Sequence, residues 1–96
     1  MRTTSNNTVT PIINLNGTSA EELLEINSTA IDTLRVAMIA VAAAAPHGRD
    51  YQTLHPAIFT DAQAQHDERL NMLRDVLDQL TMIAIEISDQ LNRRAR

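Results

Sequence analysis

From Phe59 to Leu91 a repeat of alternating steps of three and four runs through positions 59, 62 or 63, 66, 70, 73, 77, 80, 84, 87 and 91. This spacing holds one seam on one side of an α-helix, whereas a strand would need apolar residues at every second position. From Leu70 onward the seam reads Leu, Leu, Leu, Leu, Ala, Ile, Leu. Val76 and Ile83, and on other sides Met72, Met82 and Ile85, widen it. Asp67, Glu68, Arg74, Asp75, Asp78 and Asp89 mark positions that belong in water.

A second helical repeat precedes the first. Leu23, Ile26, Ala30, Leu34, Ala37, Val41 and Ala44 recur at threes and fours, and Leu24, Ile31, Met38 and Ala45 return every seventh residue on an adjacent stripe. From Val36 to Ala45 no polar side chain interrupts the chain, the pattern of a helix covered by neighbours on all sides. That run is well short of the ~20 residues a membrane span requires, so no membrane partner is expected. Thr18 with Glu21, or Ser19 with Glu22, forms a capping box at the start, and Leu15 is placed to staple against Leu23 or Leu24. Pro46 stops this helix and His47-Gly48 supplies turn chemistry. Pro56 suits the first turn of the second helix better than the later capping pair Thr60 and Gln63. Arg93, Arg94 and Arg96 complement the negative pole of that helix.

The predicted architecture is all-α: residues 12–96 form two long antiparallel helices, a helical hairpin with a helix at about 19–45, a loop at 46–55 and a helix at about 56–93. Residues 1–11, rich in Thr and Asn, are predicted to be a flexible, extended N-terminal arm. The arm carries no apolar stretch of the kind an export signal needs, which predicts a cytoplasmic location.

Two paired helices share only one seam, so the second stripes and the Val36–Ala45 segment would be left in water. A homo-oligomer, a helical bundle of two or more copies, is therefore predicted, with Val36, Ile39, Leu73, Leu77, Leu80, Ile83 and Ile87 at the interface. The competing possibility is that the N-terminal arm folds back over the second stripe.

Composition narrows the chemistry. Among 96 residues there is no Cys and no Trp, and Tyr51 and Phe59 are the only aromatic residues, so thiol chemistry is excluded and the core is aliphatic. All 8 basic residues are Arg; against 12 acids they leave a net charge of −4, which disfavours nucleic acid and anionic membranes as partners. Phosphate-cradling glycine motifs and helical His-Glu metal motifs are absent. No enzyme, catalytic residue, metal or cofactor is predicted. His66 falls on the seam, where a structural hydrogen bond outweighs a ligand role. The loop groups the most versatile side chains: Arg49 has a planar fork for phosphate or carboxylate, His47 can assist, Tyr51 can stack on a base, and Gly48 permits close approach. These four are the candidate ligand-binding residues. The alternative has Arg49 paired with Asp50 or a helix carbonyl and Tyr51 closing the end of the bundle.

The runs Asn16-Gly17-Thr18-Ser19-Ala20-Glu21-Glu22-Leu23-Leu24, Ala45-Pro46-His47-Gly48-Arg49-Asp50-Tyr51 and Gln65-His66-Asp67-Glu68-Arg69-Leu70 resemble those of short phage and prophage helical-hairpin proteins without an assigned activity. The resemblance spans residues 12–90; where those proteins carry a second tyrosine after Tyr51, this chain has Gln52. In size and helical class the chain is also similar to small phage proteins that oligomerise and sequester the cyclic nucleotide signals of bacterial immunity, although their motifs do not align with it. These likenesses imply a phage accessory protein in the host cytoplasm, a non-enzymatic binding module that counters defence by holding a nucleotide-like anion or a host protein. The alternative is an assembly or virion-associated module with no small-molecule ligand.

Overall fold

In the computed structural model, which describes residues 2–3 and 8–94, the element order is β1 (Arg2–Thr3), β2 (Val9–Thr10), α1 (Ala20–Ala43), a single 3₁₀ turn (Gly48–Asp50) and α2 (Pro56–Arg94). The two long helices pack against each other as an antiparallel hairpin.

Local chemistry explains the boundaries. Ser19 is extended (φ −62°, ψ 152°) and its hydroxyl oxygen accepts the Glu22 N–H at 3.1 Å, so of the two capping frames the Ser19/Glu22 one is used. Leu15 is 98% exposed and makes no staple, because a staple needs the residue immediately before the cap, here Thr18. At its other end α1 stops at Ala43, two residues short of the predicted limit, as the Ala44 N–H bonds to the carbonyls of Ala40 and Val41. The start of α2 is at Pro56, and the Nδ1 of His55 accepts the Ala57 N–H at 3.1 Å, giving α2 an imidazole cap that composition does not announce.

One long-range hydrogen bond sets the register. His66, 6% exposed, places its Nε2 2.7 Å from the Val41 carbonyl; a carbonyl only accepts, so the ring nitrogen donates. Counting heptads from this contact puts Leu73 opposite Leu34, Leu80 opposite Asn27 and Ile87 opposite Ala20. Ala20 and Ile87 are both fully buried. Phe59, Ala62, His66, Leu70, Leu73, Leu77, Leu80, Ala84, Ile87 and Leu91 are all buried or half-buried, as the repeat predicts.

The stripes of α1 divide between two roles. Ala20, Leu24, Asn27, Ile31, Leu34, Met38 and Val41 line the seam to α2, whereas Ile26, Ala30, Ala37 and Ala44 are exposed. Asn27 is tolerated in the seam because its Nδ2 donates to the Leu23 carbonyl of its own helix at 2.9 Å. By length and composition alone α1 is apolar enough to cross a membrane.

The described part of the N-terminal stretch is anchored rather than free. β1 and β2 pair antiparallel (Arg2 with Thr10, Thr3 with Val9), while residues 1 and 4–7 of the predicted flexible arm lie outside the described residues. Beyond β2, Gln90 of α2 holds the chain like a strand edge. Its Oε1 accepts the Ile13 N–H at 2.9 Å and its Nε2 donates to the Pro11 carbonyl at 2.9 Å. Thr8 and Thr10 are buried at this docking point.

The result is a rod of 63 × 23 × 21 Å with a Cα radius of gyration of 19.0 Å, where a compact chain of this length would have about 12–13 Å. Among the described residues the buried apolar core consists of Ala20, Ile31 and Ile87, of which Ala20 and Ile87 are fully covered.

Candidate functional site

The connecting turn is built by its own side chains. His47 is extended, and its Nδ1 accepts the Arg49 N–H at 3.3 Å, which starts the 3₁₀ turn. The Asp50 N–H bonds to the His47 carbonyl and the Tyr51 N–H to the Gly48 carbonyl, each at 3.0 Å. The Tyr51 ring lies tilted against Phe59, with centroids 5.5 Å apart and planes at 40°. Gly48 sits over the same ring: a β-carbon there would stand 3.7 Å from Phe59, an ordinary contact, so a larger residue fits.

Of the four predicted ligand-binding residues, His47 and Tyr51 thus already hold the turn together and Gly48 packs on Phe59. Arg49 is exposed, and its guanidinium forms no ion pair among the described residues. The turn projects Arg49 outward, so a single copy gives an anion one charged fork without walls around it. Beside the turn a cleft of about 240 Å³ is lined by Ala45, Pro46, Gln63, His66 and Asp67.

The predicted interface residues fall into two groups. Val36 and Ile39 are 68% and 72% exposed. Leu73, Leu77, Leu80 and Ile83 are half-buried, the first three in the seam to α1. Ile87 belongs to the intrachain core, because the whole of its side chain is covered opposite Ala20, and it has no surface left for another copy.

Between the helices, on one side of the hairpin, runs a groove of about 400 Å³ lined by Arg35, Met38, Ile39, Ala42, Leu70, Arg74 and Leu77. Its floor is apolar and it is flanked by two guanidinium groups. At the opposite pole, under the arm, a cleft of about 290 Å³ is lined by Ile13, Asn14, Leu15, Gly17, Ser19, Glu21 and Arg94. Arg93 is held nearby at 3.4 Å from Glu86, which also accepts from the Gln90 Nε2 at 3.2 Å. Among the described residues no three His, Asp or Glu side chains come together as a metal set.

Sequence reasoning missed Gln90. A lone amide between Asp89 and Leu91 carries no motif, and its only sequence signal is its place next to the seam residues Ile87 and Leu91. Comparison of the chain with family models, with curated proteins and with solved structures finds no match.

Proposed function

We propose that this chain is a non-enzymatic, self-associating helical interaction module, a phage accessory protein of the bacterial host cytoplasm that acts by binding rather than by chemistry. The observation supporting this reading is the ratio of surface to core. The chain exposes 6959 Å², roughly 1,500 Å² more than a compact monomer of its mass. Large apolar side chains such as Val36, Ile39 and Met72 stand more than half exposed on that surface. A rod so poor in core gains most from covering its flanks.

In this reading the turns of neighbouring copies supply the ligand site. Several Arg49 forks brought together focus a positive potential on a nucleotide-like anion, with His47 assisting and Tyr51 offering its outer face. Sequestering such a signal, or a host protein docked on the same pole, would counter a defence system. The test is thermal melting of the full chain with mononucleotides and cyclic dinucleotides as probes. A probe that binds raises the melting temperature, and Arg49→Ala abolishes that rise without changing oligomeric mass.

A second reading, an assembly or virion-associated module without a small-molecule ligand, is favoured by the internal roles of His47 and Tyr51. If no nucleotide shifts the melting curve while the oligomer persists, this reading replaces the first.

A further inference from the structure

The flanks of the hairpin differ in charge. Arg35 and Arg74 share the groove on one side, and Asp32 of α1 and Asp67 and Asp78 of α2 belong to the same half of their helices by register. The opposite flank of α1 is a second heptad seam, running from Leu23 through Ile26, Ala30, Thr33, Ala37 and Ala40 to Ala44 without a single charge. Beside it α2 contributes Met72, Val76 and Ile83, interrupted by the exposed Arg69 and Gln79 and, toward the arm, by Glu86, which is paired with Arg93 of its own helix. Ile26, Met72 and Val76 are 56%, 55% and 46% exposed, so this flank is open over most of its length. At one end it is already closed: Gln90, one heptad beyond Ile83, is where the N-terminal arm is seated.

We propose that this flank is a homodimer interface, on which a second copy of the chain lays its own identical flank about a two-fold axis to complete a four-helix bundle. The proposal rests on the self-association reading above and specifies its surface. A second copy fits for two reasons. The chain's excess surface, roughly 1,500 Å², exceeds the roughly 800 Å² per partner that a standard stable interface covers and falls within the range of obligate homodimers. The α1 side of the flank carries no charge, and on α2 only Arg69 is left once Glu86 and Arg93 pair with each other, so the surface offers little charge pattern for an unlike partner to read, whereas a two-fold axis needs only self-complementary shape. Alanine and threonine along the outer seam let the helices approach closely, and the seven-residue repeat gives them a continuous register.

Sedimentation equilibrium of the full chain from sub-micromolar to tens of micromolar tests this, with helicity monitored by circular dichroism. The wild type is expected to be dimeric. Ala37→Glu and Ala30→Glu, both at exposed positions outside the intrachain seam, should raise the dimer dissociation constant about 100-fold by burying unpaired carboxylates, with helicity retained. Ser28→Glu, exposed on the groove-side flank of the same helix, should leave it unchanged. A wild type that stays monomeric throughout overturns both this proposal and the self-association reading. A dimer that survives Ala37→Glu and Ala30→Glu but dissociates on Ile39→Glu overturns the assignment of the flank and leaves self-association standing. A monomer that floats with phosphatidylglycerol vesicles, and loses this with Ala37→Glu, assigns the flank to lipid and overturns the proposal.

Discussion

Two polar side chains give the rod most of its long-range definition. His66 ties α2 to the last turn of α1: the Val41 carbonyl, which already accepts the Ala44 N–H at 3.0 Å, takes the His66 ring N–H on its second lone pair at 2.7 Å. His66→Ala removes that bond and opens a hole beneath it, and is expected to destabilise the hairpin by about 2 kcal/mol in urea unfolding. His66→Gln, which keeps a donor, should recover part of the loss. Gln90 presents a donor and an acceptor on one amide, matched to the Pro11 carbonyl and the Ile13 N–H. Gln90→Ala should release the arm, seen as loss of hydrogen-exchange protection at the Ile13 amide, while helix content by circular dichroism stays nearly constant. The two residues differed in legibility. His66 stands on the heptad, so its inward orientation follows from spacing. Gln90 bonds backbone 77 and 79 positions away, and no local pattern encodes so distant a partner.

At the level of elements, the start of α1 at Ser19 and of α2 near Pro56 was legible because capping and proline chemistry are local. The heptad of α2 likewise predicted which of its residues face inward. For α1 the sequence offered two apolar stripes, and pairing with α2 draws on both: Leu24, Ile31 and Met38 turned inward together with Leu34 and Val41 of the other stripe, while Ile26, Ala30, Ala37 and Ala44 stayed outward. The turn that looked like a ligand site is largely self-contained, since capping by His47 and packing of Tyr51 on Phe59 use the side chains that made it look reactive. Ser19→Ala should cost about 1 kcal/mol of stability, read as a lower urea midpoint with unchanged slope. Asn27→Leu, at a half-buried seam position opposite Leu80, should raise the midpoint by a comparable amount. If Asn27 also enforces register, the variant will show a broader distribution of oligomeric masses.

Across the whole molecule, slenderness governs behaviour. With only Ala20 and Ile87 fully buried among its described apolar residues, the rod is proposed to gain stability from association. Its melting temperature should therefore rise with protein concentration between about 1 and 100 μM, and Ala37→Glu should abolish that dependence. The same geometry distributes the chain unevenly: β1, β2, the first turn of α1 and the last turns of α2 gather at one pole, and the Gly48–Asp50 turn occupies the other. The long axis is 63 Å. A fluorophore or affinity handle joined near Arg2 or Arg94 would ride at the stern of the molecule, leaving the Arg49 bow clear for surface capture, imaging or display.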